Sequence, residues 1–240
     1  MNTENRAGKP AGNEGEEMLD VMDTHHTPIS LWAFNNIQFK ENDVTLDIGC
    51  SSGLNVKRSY EMSQKAKSFG VDYSNVSVNK SIETNKELIN SGNVEIIQAN
   101  VLEMPFEDNM FDVITAFETV YFWPEVVDSF KEVRRIMKEH GKFSIILECN
   151  GHYSSHLDEL VEKENCKFYN DQELKETLSE AGFTNITVII RKRLENKKLI
   201  KYYNSSEYHE KLVDEIFELD ELYEDGLPLS PEWLCVTVEK

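Results

Sequence analysis

The chain has 240 residues, enough for one sizeable hydrophobic core. Its 25 basic and 44 acidic residues leave a formal net charge of -19, which repels a phosphate backbone and argues against DNA or RNA as a partner. Cys50, Cys149, Cys166 and Cys235 form no CxxC pair or metal-ligand spacing, and no uncharged apolar run approaches the ~18 residues of a membrane span. With no apolar leader at its start, the chain is expected to be soluble and cytoplasmic, with reduced thiols and no metal site.

Residues 1–17 are rich in Gly, Asn and Glu and nearly free of large apolar side chains, so they are expected to form a disordered tail. Residues 18–39 carry Met22, Ile29, Leu31, Trp32, Phe34 and Ile37 around "THHTPISLW" and read as one or two short helices, an N-terminal helical cap over the site. An alternation of strand and helix patterns then fills residues 40–240. "VTLDIG" is a first short strand, followed by a helix-compatible stretch to about Ser68, and "SFGVDYS" is a second strand ending on an acid. Ser74 can cap the next helix, with Val78, Ile82 and Ile89 at helical spacing and "SGN" as its stop.

"VEIIQAN" is the third strand and "FDVITAF" the fourth, its β-branched and aromatic content fitting a buried parallel strand. "PEVVDSFKEVRRIMKEHG" places Val126, Phe130, Val133 and Met137 on one helical face with Gly141 as its end, and "KFSIILE" is the fifth strand. Asn170 and Glu173 make a capping box for "DQELKETLSEAG"; "ITVII" and "LCVTV" bring the strands to seven. Between these last two, residues 191–232 read as an acidic helical insertion, with Tyr208, Leu212, Ile216, Leu219 and Tyr223 on one face. That insertion suits a helix packed on the domain, an arm for homodimer formation, or a lid.

Strands alternating with helices define an α/β protein with a mostly parallel sheet and helices on both faces, and such sheets bind ligands beyond the carboxyl ends of their strands. "LDIGCSSG" lies at that edge. A dinucleotide fingerprint would run G-x-G-x-x-G; here the order is D-x-G-x-x-x-G, with Asp47 ahead of Gly49, Ser51 and Gly53. A carboxylate there repels a pyrophosphate, which disfavours an NAD-dependent reductase, and suits a ligand bearing an ammonium group. Asp72, ending the second strand, can accept hydrogen bonds from ribose hydroxyls. One acid for an amino-acid end and one for a ribose describe S-adenosylmethionine (SAM).

With these residues the chain resembles the class I SAM-dependent methyltransferases, in the small-molecule branch related to ubiquinone and menaquinone biosynthesis. "LDIGCSSG", "GVDYS", "NVLEMPF", "FDVITAFETVYFWPE", "KEVRRIMKEHGKFSII" and "LKETLSEAGFTNITV" match the family's motifs in order and spacing over roughly residues 40–190. The resemblance implies a Rossmann-like seven-stranded sheet with the last strand antiparallel. It also implies that Asp47, Gly49, Cys50, Ser51 and Gly53 line the methionine moiety, that Asp72 holds the ribose with Tyr73 beside the adenine, that Asn100, Val101 and Leu102 meet the adenine, and that Ala116 and Phe117 approach the methionine part. Relatives usually carry glycine where Ser51 stands, so cofactor binding is expected to be weakened and retained.

Methyl transfer from a sulfonium is an in-line displacement that positioning alone accelerates, with a base needed only for a protonated acceptor. His26, Glu118 and Tyr121 are the candidate catalytic residues facing a small-molecule acceptor; His25, Trp123, Tyr153 and His156 are further candidates near the same edge. Each has a plainer reading: exposed helix-start residues for His25 and His26, and packing for Trp123 and Cys50. The alternative function is a SAM-binding regulatory or partner protein without transferase activity, which Ser51 and the acidic insertion would suit.

Overall fold

A computed structural model describes residues 7–64, 66–151, 161, 162, 164, 166–192 and 232–240. Short apolar runs flanked by turns form β1 (Thr45–Ile48), β2 (Ser68–Asp72), β3 (Val94–Gln98), β4 (Phe111–Phe117), β5 (Met137–Leu147), β6 (Thr184–Lys192) and β7 (Glu232–Glu239). They make one sheet in the order β3-β2-β1-β4-β5-β7-β6. β1 to β5 pair in parallel, and β7 runs antiparallel to both β5 and β6. The mostly parallel sheet read from the alternation is therefore present, as is the Rossmann-like form with an antiparallel last strand that the resemblance implies.

The helices are α1 (Gly12–Asn36), α2 (Leu54–Met62), α3 (Asn75–Thr84), α4 (Lys86–Asn90), α5 (Val126–Ile136) and α6 (Asp171–Glu180). Phe130, Val133 and Ile136 of α5 and Leu174 and Leu178 of α6 pack on one face of the sheet, against Ile114, Phe143 and Ile145. On the other face Ile29, Trp32, Ala33 and Phe34 of α1 bury Val113, Phe117, Ile146 and Trp233, while Val56 and Tyr60 of α2 pack on Val94. Connections from β1 run outward to β2 and β3 and then cross back to β4, so the sheet has its switch point between β1 and β4.

Three local details differ from the pattern read in the sequence. The N-terminal segment is a single helix that begins at Gly12, inside the stretch expected to be disordered; Leu19 is fully buried, and ahead of the helix the Ser74 hydroxyl donates to the Pro10 carbonyl at 2.6 Å. The helix capped by Ser74, whose Oγ accepts from Ser77 N–H, breaks at Asn85 into α3 and α4. Asn85 Nδ2 donates to Gly53 O and to Ser81 O, both at 3.0 Å, and this tie to the glycine loop fixes a non-helical residue at the break. α5 ends at Ile136 rather than at Gly141, because Met137 is fully buried and pairs with Phe111 as the first residue of β5; Gly141 lies within that strand, after a register irregularity. The segment holding Tyr208 to Tyr223 lies outside the described residues.

Candidate active site

Three strand ends and one helix converge at the switch point. Asp47 points from β1 into a cavity between the sheet edge and α1, and is 2 % exposed. Its Oδ1 accepts from Thr115 Oγ1 at 2.7 Å, and burial pushes its carboxyl up to about 7, with the nearby Asp72 charge adding to the shift. The next residues turn sharply. Gly49 has φ 74°, and a Cβ there would collide with the Thr119 side chain; Gly53 has φ 83°, and a Cβ there would collide with Ser81 Oγ and Asn85 Nδ2. Only glycine fits both positions. Ser51, between them, also adopts a left-handed φ of 52°.

Asp72 closes the loop from the β2 side. Its carboxylate accepts from Ser51 N–H at 2.9 Å and from Ser74 N–H at 2.8 Å; burial raises its pKa, and these backbone donors oppose the rise. Two oxygens with this geometry retain lone pairs for further donors. α1 forms the opposite wall; it is docked on the loop by Ser52 Oγ donating to Asp23 at 2.5 Å, and on α2 by Asn55 Nδ2 donating to Ser30 Oγ at 3.3 Å and Arg58 donating to Thr27 Oγ1 at 3.4 Å.

Beyond β4 the chain places Glu118 at a left-handed φ of 53°, its N–H donating to Ile146 O at 2.9 Å. Tyr121 Oη donates to Glu118 Oε2 at 3.2 Å, while Oε1 is buried without a donor. Burial, and then the charge of Glu148, push the Glu118 carboxyl well above the usual carboxylate range. His26 Nε2 lies 3.9 Å from Glu148 Oε2.

Of the residues singled out in the sequence, Asp47, Gly49, Cys50, Ser51, His26, Phe117 and Glu118 line this one cavity. Gly53 and Asp72 shape it through the loop. Phe117 stacks on Phe34 with ring centroids 5.3 Å apart, which locks α1 to the end of β4. Ala116 and Val101 are buried in the main core, where Val101 is in line with a packing role. Asn100 is exposed, and its Oδ1 accepts from Leu102 N–H at 3.1 Å, shaping the turn after β3. Tyr73 is 52 % exposed and carries Lys9 Nζ over its ring at 4.1 Å.

Tyr121 is buried against Phe168 and reaches the cavity through its bond to Glu118. Trp123 packs on Phe130 and Phe143, and Cys50 is a buried thiol whose pKa burial raises strongly. His25 is exposed on α1 and not among the cavity-lining residues. Tyr153 and His156 lie outside the described residues.

Sequence reasoning missed Asp23, Arg58 and Glu148. Glu148 had a readable signal, since it ends the apolar run "SIILE" as Asp72 ends "SFGVD". Asp23 and Arg58 had none, because Asp23 meets the loop and Arg58 meets Thr27 only when α1 docks.

Comparison with known proteins gives the family. A family model described as "Methyltransferase domain" matches residues 39–219. The chain belongs to that methyltransferase-domain family. It is 28% identical over 141 residues to the sterol 4-C-methyltransferase strm-1 of Caenorhabditis elegans, covering 57% of this chain and 39% of that protein. It is 29% identical over 108 residues to 2-phytyl-1,4-naphtoquinone methyltransferase of Trichormus variabilis, covering 45% and 47%. The chain thus spans about half the length, or less, of these curated relatives. Among solved structures, phosphoethanolamine N-methyltransferase 2 of Haemonchus contortus, in complex with phosphomonomethylethanolamine and S-adenosylhomocysteine, superposes with a TM-score of 0.69 at 18% identity, over 94% of this chain and 57% of that one. Geranyl diphosphate C-methyltransferase of Streptomyces coelicolor superposes with a TM-score of 0.65 at 17% identity, over 97% and 86%. Both likenesses concern the fold.

Proposed function

We propose that the protein is a SAM-dependent methyltransferase acting on a small-molecule acceptor. The observation that carries this reading is a single cavity at the switch point with the buried Asp47 and the glycine loop on one side and Glu118 and His26 on another. The donor set fits the cofactor. Asp47 offers a carboxylate to an ammonium group, Asp72 offers lone pairs to ribose hydroxyls while bracing the loop, and Gly49 and Gly53 keep the backbone turn tight beside them.

SAM supplies an electrophilic sulfonium methyl when bound. The chain's own contribution is position and exclusion of water: α1 covers the cavity, Phe117 and Phe34 lock it to β4, and the loop is held from both sides by Asp72 and Asn85. Glu118 and His26 supply the polar wall against which an acceptor is oriented, and Tyr121 positions Glu118. Sterol and quinone methyltransferases among the relatives support an acceptor of modest size, and the net charge of -19 supports one that is not a nucleic acid. All four cysteines are buried and no disulfide forms among the described residues, which supports the cytoplasmic placement; no described helix is long and apolar enough to cross a membrane.

Incubation with SAM labelled in the transferable methyl group and a fractionated metabolite extract tests the proposal. Label is expected to appear in one small-molecule fraction. Measurable SAM binding without transfer to any fraction would favour the non-catalytic SAM-binding alternative.

A further inference from the structure

The middle of α1 and the ends of β4 and β5 bring one imidazole and two carboxylates together. His26, Glu118 and Glu148 each offer a ligand atom, all within 4.8 Å of one another, with His26 Nε2 and Glu148 Oε2 3.9 Å apart. Ligand atoms about 2.1 Å from a common ion sit roughly 3 to 3.5 Å from each other, so side-chain adjustments of about an ångström would complete the set.

A separate observation points to an occupant. Glu118 Oε1 is buried with no hydrogen-bond donor, whereas buried polar atoms are nearly always satisfied. Glu118 is half-buried at the cavity wall and held in place. Its backbone is left-handed, its N–H is held by Ile146 O, and its other oxygen accepts from Tyr121. The Glu118 Oε1 oxygen stands beside a second carboxylate and an imidazole.

We infer that His26, Glu118 and Glu148 form a binding site for a divalent metal cation. One imidazole nitrogen with two carboxylate oxygens suits Mn2+, Fe2+ or Zn2+ better than the all-oxygen shells preferred by Ca2+ and Mg2+. His26 and Glu118 line the same cavity as Asp47 and Gly49, which gives room for a small ligand to complete the coordination. If the transferase reading holds, such a cation acts as a Lewis acid on an acceptor oxygen; cation binding itself does not depend on that reading.

The test uses the full chain freed of metal with EDTA, titrated with Mn2+ under electron paramagnetic resonance and with Zn2+ in a calorimeter. One site per chain is expected, weakened at least about tenfold by His26→Ala and by Glu148→Gln. Circular dichroism and thermal unfolding serve as the check that each variant is folded, and His26→Gln provides a milder change should His26→Ala not fold. Absence of binding, or binding that the variants leave unchanged and that therefore belongs to the acidic surface, overturns the site. Loss of SAM binding by the unaltered protein would count against the transferase reading and leave the cation result standing.

Discussion

Asp72 Oδ2 accepts a hydrogen bond from the backbone N–H of Ser51 at 2.9 Å, so the acid that ends β2 also braces the loop that follows β1. The residue proposed to hold the ribose is therefore part of the scaffold that shapes the rest of the site. Asp72→Ala should leave the Ser51 and Ser74 N–H groups without their acceptor, costing about 1 to 3 kcal/mol of stability. SAM affinity should fall by more than about tenfold, a loss of at least about 1.4 kcal/mol. Thermal unfolding and calorimetry read the two effects, and unchanged affinity would remove Asp72 from the cofactor site.

Ser51 pays for its position with a left-handed backbone, φ 52°, where a β-carbon is crowded. Ser51→Gly relieves this, set against the greater freedom glycine gains in the unfolded chain, and the net gain should be up to about 1 kcal/mol. SAM affinity should tighten in calorimetry. A weaker affinity would mean that the serine side chain contributes a contact.

Asp47 gives the site its pH dependence. Its carboxyl is raised by burial from 3.8 to about 7, so the folded, ligand-free protein holds a proton that the unfolded chain has already released. Stability from this group is complete below pH 3.8 and is lost as pH rises through about 7. A cationic ligand needs the ionised form, so SAM should bind about tenfold more weakly at pH 6 than at pH 8. Calorimetry at both pH values checks this, and Asp47→Asn should remove the difference along with most of the affinity.

The segment before α1 crosses the carboxyl edge of the sheet. The Ala7 N–H donates to Glu164 at 3.1 Å, the Pro10 carbonyl accepts from Ser74 Oγ, and Lys9 sits over the Tyr73 ring. Deleting residues 1–10 should speed SAM dissociation in stopped-flow measurements and lower the unfolding temperature modestly, because the Lys9 contact and each of the two hydrogen bonds contribute about 1 kcal/mol. An unchanged dissociation rate would show that the segment does not cover the cofactor side.

The elements legible in the sequence are those that local chemistry encodes. "VTLDIG" is an apolar run that must be buried, Gly49 and Gly53 announce a turn no other residue can make, Ser74 caps α3, and Asn170 with Glu173 forms the capping box of α6. The strand alternation dictated the parallel sheet, since parallel neighbours need crossovers. Less legible was where α5 gives way to β5. Met137 fits the helical face by spacing, and its burial beside Phe111 is a long-range contact that outweighs that periodicity.

Sequence alone carried the architecture, the glycine turn and the two acids at its flanks, because each follows from spacing along the chain and from side-chain chemistry. The meeting of His26, Glu118 and Glu148 came from folding, as did the contacts of Asp23 with the loop and of Arg58 with α1. Those residues stand far apart along the chain, and nothing in their local pattern states the distance between them. Packing of α1 across the sheet, through Phe34 on Phe117, sets that distance.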